Sequence, residues 1–247
     1  MSYERFAYLY DELMRDAPYE QWVSFVKEKL KKYEIEGSSL LDLACGTGEL
    51  SVRFAIEGFQ VTGVDLSSDM LTVAQTKALN HGLKVPFYLQ NMAELEGLGQ
   101  FDVIGIFCDS LNYLSSEETV IQTFSKTFQH LKKDAIFIFD VHSVYKINQI
   151  FMDQTFTMNE DHLAYIWNSF PGEFPNSVEH ELSFFVLDEQ SGKYDRFDEL
   201  HQQRTFSIEQ YSNWLVEAGF EILEINADFE TKAPNPESER IFFIARK

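Results

Sequence analysis

With 247 residues, 45% of them hydrophobic, the chain is long enough to close a large core without disulfides or metal, as one domain or one domain carrying an elaboration. Forty acidic against twenty basic residues give a formal charge of −20, which sets the surface against a phosphate backbone, so nucleic acid is not an expected partner. The two cysteines, Cys45 and Cys108, stand in separate apolar runs and suit neither a disulfide framework nor a paired-thiol metal site, so a reducing cytoplasm is the expected compartment. The charged start MSYERFAYLYDEL and the lack of an apolar run of about eighteen residues argue against secretion and membrane spanning.

Residues 20–33 place Trp22, Val23, Phe25, Val26 and Leu30 on one side of a helical period, and Lys27, Lys29, Lys31 and Lys32 read as its solvated face. The apolar strand SLLDLA at 39–44 runs straight into CGTGE and a helix reaching about residue 57. QVTGVDL at 60–66 is the next strand, and a helix starts near Ser67 or Ser68. Residues 84–90 form a further strand, and FDVIGIFCD at 101–109 has the continuous apolar character of a strand covered on both faces. Ser115, three before Glu118, predicts a capped helix whose stripe is Val120, Ile121, Phe124, Phe128 and Leu131. AIFIFDV at 135–141 closes the alternation, which calls for crossover connections and a doubly wound, mostly parallel α/β sheet.

The texture changes after a short helix at 143–152. Segments 162–169, 178–187 and 193–206 are aromatic and β-branched, with turn signals at Pro171-Gly172, Pro175-Asn176 and Ser191-Gly192 between them, and they predict a small antiparallel β insert. Ser207 with Gln210 opens another helix, Gly219 stops it, and 220–229 with 240–246 form a final strand pair holding Pro234 and Pro236 in its loop. The implied division is 1–152 for the N-terminal helices and the main cofactor-binding part, 153–206 for the insert, and 207–247 for the return to the main part. The insert is expected to roof the substrate or to pair two subunits.

Gly46 and Gly48 lie between a strand and a helix, where missing side chains admit a ligand close to the backbone. The helix beyond them offers unpaired N–H groups and the positive end of its dipole. Asp65, ending the next strand, stands where a carboxylate accepts both hydroxyls of a ribose, a position that nicotinamide and sulfonium cofactors share. The third glycine of a dinucleotide fingerprint is Ser51 here, and Asp42 would repel a pyrophosphate while receiving an ammonium group directly or through water. Charge therefore favours S-adenosylmethionine over NAD.

LDLACGTGELSVRFAIEGFQVTGVDLSSDML closely resembles the first two motifs of class I S-adenosylmethionine-dependent methyltransferases. The resemblance continues through QNMAEL at 90–95, FDVIGIFCDSLNYL at 101–114, AIFIFDVHS and RTFSIEQYSNWLVEAGFEIL at 204–223, so it spans nearly all of the chain. It places the insert after the fifth strand, as in small-molecule N-methyltransferases acting on amino sugars or glycine. It implies that Ala44, Cys45 and Gly46, in the loop closed by Gly48, wrap the methionine end of the cofactor while Asp42 faces its amino group. It further implies that Asp65 holds the ribose, that Leu66 and Met70 border the adenine, and that Asn91 and Met92 lie beside it. Ala44 replaces the commoner Gly and is expected to hold ordinary backbone angles. Asn91 replaces a common Asp and keeps a carbonyl acceptor for the adenine amino group.

Cys108, Asp109, Ser110, Asn112 and Tyr113 follow the long strand, and ligands of open α/β sheets lie beyond such carboxyl ends. Cys108 is expected to border the cofactor as an inert thiol, since no basic neighbour is evident. Asp109 either orients an amine or caps a turn; His142, beside Asp140 at a strand end, either takes an acceptor proton or bonds nearby backbone; His201 lies in the insert. The catalytic base stays open among His142, Asp109 and Tyr113. Tyr3, Phe6 and Tyr10, with Tyr8 close by, read as a helix docked on the core or as a lid, and Tyr10 is grouped with the cofactor residues. His81 and His130 read as surface groups near helix ends, and no metal-ligand spacing is recognisable. The expected activity is in-line transfer of a methyl group from S-adenosylmethionine to a small-molecule acceptor, an amine among the candidates, by a monomer or homodimer. Transfer to protein or RNA, nicotinamide-dependent oxidoreduction and non-catalytic cofactor binding for regulation are the alternatives.

Overall fold

Apolar strands joined by one-sided helices have a single economical solution, a sheet with helices on both faces. The computed structural model describes residues 10–247; Tyr3, Phe6 and Tyr8 lie outside the described residues. Along the chain come α1 (Tyr19–Lys32), β1 (Ser39–Leu43), α2 (Glu49–Ile56), β2 (Gln60–Asp65), α3 (Ser68–Asn80), β3 (Phe87–Leu89) and β4 (Phe101–Ile106). Then follow α4 (Glu117–His130), β5 (Leu131–His142), β6 (Gln154–Asn159), β7 (Leu163–Pro171), β8 (Ser177–Asp188) and β9 (Lys193–Arg204). The chain closes with α5 (Ile208–Glu217), β10 (Glu221–Ala227) and β11 (Arg240–Arg246).

The main sheet has the order β10-β11-β5-β4-β1-β2-β3, parallel except where β11 runs antiparallel to β5 and β10. The strand order reverses between β1 and β4, which opens the crevice where ligands of such sheets collect. One face packs Leu41, Ile104, Phe137, Phe139 and Phe243 against Val120 and Phe124 of α4 and Trp214 and Leu215 of α5. The other packs Leu40, Val103, Ile138 and Phe242 against Trp22 and Val26 of α1 and Leu50 and Phe54 of α2. A separate antiparallel sheet, β6-β7-β8-β9, follows β5 as expected. Its Phe156, Trp167 and Val178 pack on Ile147 and Phe151 of the connecting segment.

Several local expectations are corrected. Ser116, not Ser115, caps α4 by accepting from the Thr119 amide, because burial of Val120, Thr123 and Phe124 fixes Glu117 as the first helical residue. Leu131 is extended and opens β5 instead of ending the helix. The strand at 84–90 shrinks to Phe87–Leu89, since Pro86 has no N–H for the ladder and contributes only its carbonyl, to Gly63. The short helix expected at 143–152 is present, but its turns at Lys146–Phe151 are widened to the π type, with Met152 N–H donating to the Ile147 carbonyl at 3.2 Å. The insert gains an edge strand, Gln154–Asn159, in which only Phe156 and Met158 are apolar. His130 is buried and bonds the Lys126 carbonyl through Nδ1.

Candidate functional site

Ala44 has φ of 56°, in the left-handed region, so the expectation of ordinary angles there is wrong. The chain must fold back at once for Cys45 N–H to reach the Val64 carbonyl at 2.9 Å, and a side-chain-bearing residue in that conformation costs roughly 1–2 kcal/mol. Gly46 and Gly48 follow at φ of 54° and 73°. A Cβ on Gly48 would come within 2.8 Å of Ala74, whereas one on Gly46 would meet nothing within 4 Å and would project into open space. Asp65 organises this loop: its carboxylate accepts from Gly46 N–H and Ser67 N–H, each at 2.8 Å. Both oxygens keep a further lone pair for other donors.

Asp42 is buried and accepts from Ser51 Oγ at 2.5 Å. Burial pushes its carboxyl up to about 7, against the Ser51 hydrogen bond, and the Asp65 charge adds to the rise. The residue that breaks the dinucleotide fingerprint thus holds the carboxylate next to the loop. A narrow cleft opens there, lined by Tyr10, Asp42, Ala44, Cys45, Gly46 and Cys108 of the expected residues, together with Tyr19, Thr47 and Phe107. Residues 10–13 are helical and are tied to the loop through Asp11, which accepts from Thr47 Oγ1 at 2.5 Å and pairs with Lys77 at 2.8 Å. Leu66, Met70, Asn91 and Met92 are not among the residues lining this cleft; they follow the carboxyl ends of β2 and β3. Leu66 is 72% exposed, Asn91 Oδ1 accepts from Ala93 N–H at 3.0 Å, and Met92 packs on the core.

Beyond β4, Cys108 and Asp109 are both left-handed, at φ of 54° and 52°. Asp140, fully buried on β5, holds this strained pair by accepting from Cys108 N–H at 3.0 Å and Asp109 N–H at 2.9 Å. The same carboxylate accepts from Trp22 Nε1 at 2.8 Å and pairs with Arg240 of β11. Asp109 makes no capping bond; its side chain meets His142 Nε2 at 3.1 Å, Gln203 Nε2 at 2.9 Å and Arg240 at 3.0 Å. Burial alone would raise the Asp109 carboxyl, but the Arg240 guanidinium and the hydrogen bonds from His142 and Gln203 hold it well below the usual carboxylate range. An ionised Asp109 can only accept, so the His142 proton sits on Nε2, and Nδ1 carries a lone pair that has no hydrogen-bond partner among the described residues. Burial lowers His142 below its ordinary range although Asp109 opposes the shift, so the imidazole is neutral at pH 7.

Arg240 is the basic neighbour of Cys108 that its sequence surroundings do not reveal. Burial, with Asp140 and Asp109, still pushes the thiol up, so it is unreactive. Asn112 ties the loop to both sheets, accepting from His142 N–H at 2.9 Å and donating to the Arg204 carbonyl at 2.8 Å. Tyr113 is half exposed, with its hydroxyl 3.3 Å from His201 Nδ1. Gln203 and Arg240 escaped sequence reasoning, as did the bond by which Ser51 holds Asp42; a two-residue period along β9 is the signal that puts 199, 201 and 203 on one face. Among the described residues, no group of three His, Cys, Asp or Glu is arranged to hold a metal ion, and no helix is long and apolar enough to cross a membrane.

Residues 40–134 match the family described as "Methyltransferase domain". A Geobacillus sp. (strain WCH70) protein designated a methyltransferase is 56% identical over 248 positions, covering 100% of both chains. The crystal structure of an S-adenosylmethionine-dependent methyltransferase from Clostridium acetobutylicum ATCC 824 superposes with a TM-score of 0.90 at 32% identity, covering 100% of this chain and 99% of that one. The sugar N-methyltransferase KedS8 from Streptoalloteichus sp ATCC 53650 shares the fold, with a TM-score of 0.77 at 20% identity over 97% of this chain and 93% of that one.

Proposed function

The chain belongs to the S-adenosylmethionine-dependent methyltransferases, and from that premise we propose that it methylates an amine nitrogen of a small molecule bound between the main sheet and the antiparallel insert. The cofactor is S-adenosylmethionine, which supplies an electrophilic methyl group on a positively charged sulfur. The residues suit it. Gly46 leaves open a space that any side chain would fill, and Asp42 is a buried carboxylate that lacks a cation. In our assignment Asp42 receives the ammonium of the methionine end, Ala44, Cys45, Gly46 and Gly48 shape the wall beside it, and Asp65 takes the ribose hydroxyls. Leu66, Met70, Asn91 and Met92 border the adenine; Tyr10 and Cys108 close the reacting end.

The observation that carries the acceptor reading is buried His142, whose Nε2 lies 3.1 Å from Asp109 in the loop next to the cleft and whose Nδ1 has no hydrogen-bond partner among the described residues. An amine is mostly protonated at pH 7 and must lose that proton before it can attack. His142 Nδ1 accepts it, and Asp109 stabilises the imidazolium that results. The rest is alignment and exclusion of water by Tyr10, Tyr113 and the insert. The shared fold of a sugar N-methyltransferase supports this reading, as does an acidic chain facing a cationic substrate. The setting we assign is the cytoplasm, as monomer or homodimer. The test measures S-adenosylhomocysteine released from S-adenosylmethionine with small amines and amino sugars, phenols, and basic peptides in parallel. Turnover confined to phenols or peptides refutes the proposal.

A further inference from the structure

The insert turns one face inward, and the register of its strands fixes which residues share it. Rows across β7, β8 and β9 pair Ser169 with His180 and His201, Trp167 with Leu182 and Glu199, and Tyr165 with Phe184 and Phe197. The end of this face next to the reacting loop is in contact with it: Gln203 bonds Asp109, and His201 lies at Tyr113. On the same face the buried atoms Glu199 Oε1, Trp167 Nε1 and Ser169 Oγ have no hydrogen-bond partner among the described residues. Glu199 is 7% exposed, and burial alone pushes its carboxyl up, with no cation to oppose it. Folding ordinarily pairs or excludes such groups, because an unpaired buried carboxylate is costly. Next to it Phe184 and Phe197 stack with ring centroids 5.1 Å apart.

We propose that this inner face is a recognition subsite for a cationic nitrogen on the methyl acceptor, with Glu199 as counter-ion and the Phe184–Phe197 stack as its aromatic wall. A carboxylate and aromatic faces together select an ammonium over a neutral group of equal size. Glu199 is four residues from Gln203 on one strand, so roughly 13 Å of strand separates it from the residue touching Asp109, at about 3.3 Å per residue. The group recognised is therefore remote from the atom methylated, and the acceptor is a molecule with a basic group on an extended or ring-containing scaffold. Trp167 Nε1 and Ser169 Oγ lie on the same face as hydrogen-bonding groups for the neutral part of that scaffold.

The inference rests on the small-molecule reading, and its test is separable from it. Benzylamine and benzyl alcohol have similar size and differ in charge. Each is titrated calorimetrically into the protein saturated with S-adenosylhomocysteine. Benzylamine is expected to bind at least tenfold more tightly. In Glu199→Gln the preference falls below threefold, S-adenosylhomocysteine affinity stays unchanged, and the melting temperature is equal or higher because an unpaired carboxylate has gone. Should that variant fail to fold, Glu199→Leu carries the same expectation. Equal affinities in the wild type, no binding of either compound, or a preference that survives the substitution overturns the proposal. Benzylamine selectivity without methyl transfer to any amine keeps the subsite and refutes the amine reaction; transfer to amines without selectivity does the reverse.

Discussion

Replacing Asp140 by alanine removes the carboxylate on which the reacting loop is built. Four donors converge on it: Trp22 Nε1, the amides of Cys108 and Asp109, and Arg240. Losing one partner of a buried ion pair costs about 3–5 kcal/mol. The two amides would then have to find water or remain unpaired, at about 1–3 kcal/mol each. The two left-handed residues they belong to already carry roughly 1–2 kcal/mol of strain apiece, so relaxing them returns part of that sum. A net loss of about 3–5 kcal/mol in urea unfolding is expected for Asp140→Ala. Asp140→Asn keeps one oxygen acceptor but presents an NH2 to donors, and about half that loss is expected. Once the loop relaxes, Asp109 no longer holds His142, and the imidazole loses the partner that opposes its downward shift. The acid limb of the pH–rate profile should therefore move to lower pH in Asp140→Asn, with methyl transfer tenfold to hundredfold slower. Binding of S-adenosylhomocysteine, which we assign to the glycine loop, should change less than threefold. A variant within 1 kcal/mol of wild type, or one that loses cofactor binding and turnover equally, refutes a positioning role for Asp140.

Asp42, at about 7 without a cation, should release a proton when an ammonium arrives. Below pH 7 the heat of S-adenosylhomocysteine binding should then vary with buffer ionisation enthalpy, and Asp42→Asn should abolish the dependence. Asp65→Ala removes two assigned ribose bonds, expected to cost about 1.5–3 kcal/mol or roughly tenfold to hundredfold in affinity. Because Gly46 N–H and Ser67 N–H also lose their acceptor, its melting temperature should drop as well; unchanged calorimetric affinity would remove the ribose role. His180, buried and lowered to about 4, stays neutral when folded while the unfolded chain protonates through about 6.5. Its contribution is thus complete above pH 7 and lost as pH falls toward 4, about 2 kcal/mol of it between pH 7 and 5. The difference in unfolding free energy between wild type and His180→Phe should shrink by that amount over this interval, and a constant difference would count against it.

What was legible in the sequence is what local chemistry determines. The apolar runs of β1, β4 and β5 read as strands covered on both faces, and the Gly-x-Gly between a strand and a helix, with Asp42 before it and Asp65 ending the next strand, read as a ligand loop. The edge strand Gln154–Asn159 was missed because it carries only two apolar positions, Phe156 and Met158, too few to show a period. The backbone of Ala44 was misread for a different reason. Nothing in alanine signals a left-handed residue; the constraint comes from the Cys45 amide reaching Val64 on the neighbouring strand, a contact that exists only once β1 and β2 pair. The reacting end shows the same limit more sharply. Asp109, Asp140, Gln203 and Arg240 come from the end of β4, from β5, from β9 and from β11, and only the order β11-β5-β4 with the insert alongside makes neighbours of them. Each taken alone reads as a turn residue, a strand end or a surface charge. Together they surround His142, a histidine with two readings in the sequence, and hold its Nε2 at 3.1 Å from Asp109 while its Nδ1 has no hydrogen-bond partner among the described residues. Burial of the group and ionisation of its partner are properties of the assembled sheet, which is why the cofactor loop could be read from thirty consecutive residues and the acceptor chemistry could not.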